Sequence, residues 1–88
     1  MNVEFLHEFN RDLDKLSDQT VRSSLSRIIL DCERASSLKE ISDIKKLKGF
    51  KNAYRIRIGN YRLGFYFEKG TIEFARLLHR KDIYRSFP

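Results

Sequence analysis

The sequence predicts an α+β fold, a two-helix hairpin packed on one face of a small, mostly antiparallel, twisted β-sheet, in the order β-α-α-β-β-β. Three observations predict it. Apolar residues recur at helical spacing through the first third of the chain. They alternate with other residues from Tyr54 onward. The dipeptides Gly59-Asn60 and Lys69-Gly70 interrupt that alternation where hairpin turns belong. A chain of 88 residues makes a single domain, residues 1–88, with a thin core. Seven Phe and four Tyr supply much of that core's area.

Asn2 to Phe5 is read as a short strand. Phe5, Phe9, Leu13 and Leu16 then follow at steps of four, four and three, one stripe of a first helix. Ser17-Asp18 supplies a break and an N-cap for a second helix, because a short polar side chain can accept from the first free amides. Val21, Leu25, Ile28, Ile29 and Cys32 form the apolar face of that helix, with Arg22, Arg27 and Glu33 turned away. Two helices so close in sequence are expected to pack as an antiparallel pair. Leu38 and Ile41 suggest a short helical turn, and Ile44 to Leu47 reads as a strand or an extended approach to Gly49.

Tyr54, Ile56 and Ile58 alternate with Arg55 and Arg57, and Tyr61, Leu63, Phe65 and Phe67 alternate with Arg62, Gly64 and Tyr66. With Gly59-Asn60 as a two-residue loop, Ile58 faces Tyr61, Ile56 faces Leu63 and Tyr54 faces Phe65. That face receives the helices. The other face carries Arg57 across from Arg62 and Arg55 across from Gly64. Gly64 is expected opposite Ala75, leaving a shallow floor for a ligand. Strict alternation puts Arg76 on the helix-covered face, opposite Leu63, unless a bulge or an edge position releases it. The tail from His79 to Pro88 reads as a short polar turn ending on Phe87-Pro88.

Charge is divided unevenly. Residues 1–42 hold six Lys/Arg and eight Asp/Glu, a net of −2; residues 43–88 hold twelve and four, a net of +8. A basic half of this kind suits a polyanion, most often nucleic acid, or else a solvated basic face. Two arginines opposed on one sheet face repel each other, an arrangement that makes physical sense with an anion over them. There is no apolar run of bilayer length and no signal-peptide pattern. The lone Cys32 allows no internal disulfide, lies on an apolar helix stripe and fits a reducing cytoplasm.

The chemistry-bearing residues are Lys46, Lys48 and Lys51 before the first hairpin strand, Arg55, Arg57 and Arg62 on the sheet, and His79, Arg80, Lys81 and Tyr84 after the last strand. No Cys/His spacing suits a metal, Lys48-Gly49 lacks the phosphate-loop pattern, and no cofactor is expected. The set suits metal-independent RNA cleavage, in which the 2′-OH attacks the adjacent phosphorus. Arginine holds charge on the phosphoryl oxygens. Histidine carries protons near neutrality, and tyrosine donates a proton or stacks on a base. Taken singly, His79 reads equally well as a strand-end residue bonded to backbone, and Tyr84 as a residue packed on the core. The mechanism needs the imidazole and phenol to converge with Arg57 and Arg62.

Lys46-Leu47-Lys48-Gly49, the run Tyr54 to Leu63 (YRIRIGNYRL) and the run His79 to Tyr84 (HRKDIY) resemble the RelE/ParE toxin superfamily in order and spacing over nearly the whole chain. The resemblance implies a type II toxin neutralised by a tightly bound, usually acidic antitoxin. It further implies an endoribonuclease that cuts mRNA in the ribosomal A site. By it, Arg62 matches the sheet arginine that stabilises the transition state, and Tyr84 the C-terminal tyrosine. Lys46 and Lys48 match the basic residues before the hairpin, and His79 or Arg80 fills an acid/base or phosphate-binding slot. An acidic base used by some relatives has no obvious counterpart in the sequence. The alternatives are a ParE-like toxin that inhibits DNA gyrase without cutting RNA, and a non-catalytic RNA- or protein-binding module of the same fold.

Overall fold

The computed structural model describes residues 1–88. Its elements are β1 (Asn2–Phe5), α1 (His7–Lys15), α2 (Gln19–Arg34), a 3-10 turn at Leu38–Glu40, β2 (Ile44–Lys46), β3 (Ala53–Ile58), β4 (Tyr61–Glu68), β5 (Thr71–His79) and a four-residue helix α3 (Ile83–Ser86). The five strands form one sheet in the order β1-β5-β4-β3-β2. Only β1 and β5 run parallel; every other pair is antiparallel. The α+β architecture expected from the periodicities is therefore the one observed, with β2 as an added edge strand.

Asp18 caps α2 as its position predicts, its side chain accepting from the Val21 amide at 3.1 Å. Arg22 has a task that the apolar stripe does not reveal. Its guanidinium donates to the carbonyls of Leu16 (3.0 Å) and Leu13 (2.8 Å), satisfying the free end of α1 and fixing the angle between the helices. Phe9, Leu16, Val21, Leu25 and Cys32 meet Ile56, Leu63, Phe65, Ile72, Phe74 and Leu77 of the sheet in the main core.

The β3–β4 register is the one derived from the sequence, including Arg57 opposite Arg62 and Arg55 opposite Gly64. Gly59 takes a φ of +58°, while Asn60 is not in the left-handed region, the pattern of a turn that needs glycine only at its first central position.

The β4–β5 register corrects the sequence reading. A bulge between Gly64 and Phe65 pairs Gly64 with Arg76 and Phe65 with Phe74, leaving Ala75 as the extra residue. The bulge keeps Leu77 opposite Leu63 on the helix-covered face and moves Arg76 out of that row. β1 ends at Phe5, paired with Phe74, so beyond that point β5 has no strand neighbour on the side away from β4. The Asp12 carboxylate of α1 takes over this edge. It accepts from Arg76 Nε (2.8 Å), Arg76 Nη2 (3.1 Å) and the Leu77 amide (3.0 Å). The two bonds to Arg76, with the Asp12 charge, raise the guanidinium pKa above its already high ordinary value. Asp12 is the sole buried charged residue, and each of its neighbours explains why it is tolerated there.

The tail also departs from expectation. The turn is apolar where it meets the sheet: Ile83 and Phe87 are buried in a second, smaller core with Leu47, Ala53 and Ala75. A polar turn on the surface gives way to a helix docked on the sheet face that carries no α1 or α2, because these two side chains have apolar area to bury.

Asp12→Ala is expected to lower unfolding free energy by about 2–4 kcal/mol, since it strands a buried amide and removes a bidentate partner. Urea titration with unchanged m-value checks this. Burial, reinforced by the Asp31 charge, pushes the Cys32 thiol up to about 11 from 9.0. Between those values the unfolded chain is ionised and the folded chain is not, so stability falls as pH rises through the window. The expected loss is roughly 3 kcal/mol, read as the difference in pH slope between the parent chain and Cys32→Ala.

Candidate functional site

The sheet face opposite α1 and α2 is shared by the docked tail and a cleft. The tail is anchored at Gly64. A Cβ there would lie 2.6 Å from Cδ2 and 2.7 Å from Cγ of Phe87, so only glycine lets the ring lie on the strand. Phe87 also packs against Tyr66, with ring centroids 5.1 Å apart. The shallow floor anticipated at Gly64 and Ala75 is therefore filled by the protein itself.

Beside it, Asp43, Ile44, Lys45, Arg55, Arg57, Arg62 and Tyr84 line a cleft of about 360 Å³. Four cations face one carboxylate. Docking Ile83 and Phe87 holds α3 so that Tyr84, between them, projects outward at 76% exposure. The Arg55 guanidinium lies 4.7 Å from the centre of its ring. This is a cation–π contact that orients both groups. Arg57 meets Asp43 at 3.7 Å through Nη2, and its amide donates to the Asp43 carbonyl at 3.2 Å. Asp43 adopts a φ of +60°, a conformation that Asp tolerates better than most residues. Arg62 donates through Nη1 alone to the carbonyls of Gly59 (2.9 Å) and Tyr61 (2.8 Å). Its Nε and Nη2 have no protein partner, which leaves one edge of the fork for an anion.

The structure thus brings together Arg55, Arg57, Arg62 and Tyr84. It does not bring His79 to them. His79 pairs with Tyr61 on the helix-side row, whereas Arg62 pairs with Leu78 on the other. The imidazole lies edge-on to Tyr61, with centroids 5.6 Å apart, and its Nδ1 accepts from the Lys81 amide at 3.2 Å. It lines a separate hollow with Asp12, Lys15, Tyr61 and Asp82. Strand parity explains this outcome, because an odd-numbered offset from Leu78 turns the side chain through the sheet. Arg80 and Lys81 are exposed in the turn after β5, outside the cleft. Lys46 pairs with Tyr54, on the helix-side row, while its neighbour Lys45 pairs with Arg55 and enters the cleft. Lys48 borders an adjoining notch that shares Arg55 and Tyr84 with the cleft. Lys51 is exposed on the loop and lines neither.

Sequence reasoning missed Lys45 and Asp43. Treating Ile44 to Lys46 as a strand with Ile44 inward would have turned Lys45 outward. No local signal marked Asp43, whose position depends on how the β2 edge meets β3.

Fold and cleft define a small cationic α+β domain with its open site on the sheet. Residues 3–84 match the family described as the ParE toxin of the type II toxin-antitoxin system, parDE. Toxin RelE3 of Methanocaldococcus jannaschii is 45% identical over 89 residues, covering all of both chains. A chain in the RelB-RelE antitoxin-toxin complex from Methanococcus jannaschii superposes with a TM-score of 0.84 at 44% identity, over 97% of this chain and 99% of that one. YoeB from Staphylococcus aureus, at 19% identity, shares the fold with a TM-score of 0.71 over 90% of this chain and 95% of its own. The chain belongs to the RelE/ParE superfamily of type II toxins.

Gly64→Ala is expected to lift Phe87 and with it α3, costing about 1–3 kcal/mol by overpacking. The Tyr84 ring resonances should lose the shift produced by Arg55, and Gly64→Ala combined with Phe87→Ala should recover part of the stability but not the stacking. Thermal unfolding and side-chain NMR together read both effects.

Proposed function

We propose that this toxin is a metal-independent endoribonuclease that cleaves mRNA on translating ribosomes in the cytoplasm. The observation that carries the reading is the assembly of Arg55, Arg57, Arg62 and Tyr84 around one open cleft. A phosphodiester laid there meets the free edge of the Arg62 fork, with Arg57 beside it. Both stabilise negative charge as it grows on the phosphoryl oxygens. The 2′-oxygen bonds to phosphorus, the bond from phosphorus to the 5′-oxygen breaks, and the products are a 2′,3′-cyclic phosphate and a 5′-hydroxyl. DNA lacks the nucleophile and is not cut.

Two proton transfers complete the step. With His79 on the other side of the sheet, the proton carriers of the cleft are Asp43 and Tyr84. Asp43 is the sole carboxylate lining it and accepts the 2′-OH proton once Arg57 turns to the phosphate. Tyr84 donates to the leaving oxygen, its ring held in place by the Arg55 guanidinium. Lys45 and Lys48 bind flanking phosphates. The likeness to the toxin chain of the RelB-RelE complex supports a cognate antitoxin as partner, and the basic half of the chain suits an acidic one.

A second reading is inhibition of DNA gyrase without RNA cleavage. It draws on the match to the ParE family and on the absence of an imidazole from the cleft.

Transcript mapping after brief induction, with and without ribosomes in a purified assay, tests the choice. New cyclic-phosphate ends are expected. Arg62→Ala should reduce cleavage about 10²–10³-fold, and Tyr84→Phe and Asp43→Asn about 10²-fold or more each, with all three variants still folded. Transcripts that stay intact while DNA breaks accumulate would replace the nuclease by the gyrase reading.

A further inference from the structure

Alongside the cleft runs a notch lined by Leu47, Lys48, Phe50, Arg55, Tyr84, Phe87 and Pro88. We propose that this notch is a stacking subsite for the nucleobase flanking the scissile bond of single-stranded RNA, with Phe50 as its specificity-determining residue. The inference rests on the nuclease reading for the identity of the strand.

Phe50 stands out by its surroundings. Isolated exposed apolar side chains are ordinary. Leu47 and Ala53, which flank its loop, are buried, whereas Phe50 is 49% exposed. The other large aromatic left open on this side is Tyr84, and the two border the same notch. Arg55, which lies over the Tyr84 ring, and Lys48 line the notch with them. Aromatic rings set among cations are what a single strand needs: charge for its phosphates and flat apolar surface for its bases.

Continuity with the cleft selects the occupant. Arg55 and Tyr84 belong to both hollows, so a strand with one phosphate against Arg57 and Arg62 has its next nucleotide at the notch. A base stacked on Phe50 would hold the strand in register without reading its hydrogen-bonding edge. The preference expected from such a contact is for larger, better-stacking purines over pyrimidines. An acidic protein segment would find the cations but gain little from two exposed rings.

The test uses the whole chain with 2′-O-methyl RNA oligonucleotides, which cannot be cleaved, carrying 2-aminopurine at successive positions. They are offered free and in the A site of a programmed ribosome. One position is expected to be quenched on binding. Phe50→Ala should abolish that quenching and weaken binding about tenfold, while Phe50→Trp retains both. An abasic site at that position should produce the same loss, with no further loss when combined with Phe50→Ala. Quenching and affinity unchanged in Phe50→Ala, a quenched position absent in both settings, or a loss confined to antitoxin binding would each overturn the proposal. Cleavage mapping separates the two readings. Stacking without any cleavage removes the nuclease and leaves the subsite. Cleavage whose flanking-base preference and quenching survive Phe50→Ala removes the subsite and leaves the nuclease.

Discussion

The carboxylate of Asp12 accepts three hydrogen bonds where β5 outruns its parallel neighbour, and the geometry of the sheet beyond that point depends on it. A strand edge in the interior needs a partner for each amide. β1 provides partners as far as Phe74, and α1 then provides one from a side chain. The same carboxylate holds Arg76, which the bulge at Ala75 has turned out of the core row. Bulge and carboxylate belong together. Without the extra residue a guanidinium would lie among Leu63, Phe65 and Phe74. Without the carboxylate the bulged edge would have an unpaired amide and an unmatched cation.

That local solution sets the parity of everything after it. Leu77 and His79 face the helices, while Ala75 lies in the second core with the tail. A small residue at Ala75 and no side chain at Gly64 make a bed for Ile83 and Phe87. The bed holds α3, and α3 carries Tyr84 to the edge of the cleft. A sheet of this size is usually covered on one face only. Here the second face is divided between the C-terminal tail, docked through Ile83 and Phe87, and a polar hollow, so the stability of the tail and the integrity of the cleft are one property.

Each guanidinium of the cleft is held by a weak or partial partner: Arg57 by an exposed carboxylate at 3.7 Å, Arg62 by two turn carbonyls through one nitrogen, Arg55 by an aromatic face. Exposed pairs of this kind contribute little to stability, yet they reduce the number of rotamers that three long side chains would otherwise sample. Arg57 and Arg62, directly opposed, tolerate each other because their charges are drawn in different directions, one toward Asp43 and one over the hairpin. The arrangement leaves positive potential concentrated over a small area with donors already oriented, which is the form of preorganisation that phosphoryl chemistry rewards.

Much of this is legible in the sequence. Period 3.6 and period 2 identify helices and strands, a Gly-Asn loop of two residues sets the β3–β4 register, and that register alone puts Arg55, Arg57 and Arg62 on one face. These are local facts, decided by the pleat of a strand and the reach of a hairpin. What tertiary structure decided is whatever depends on parity across a break or on a segment meeting a distant surface. A single extra residue in β5 reassigned Arg76, and the edge strand β2 chose Lys45 over Lys46. The apolar faces of Ile83 and Phe87, read as part of a polar turn, found the gap at Gly64. His79, expected to converge with the arginines, lies on the helix-side row, and one residue of alternation puts the whole thickness of the sheet between them. Alternation is read from neighbours, but its phase is set only when strands pair, and pairing is a long-range event.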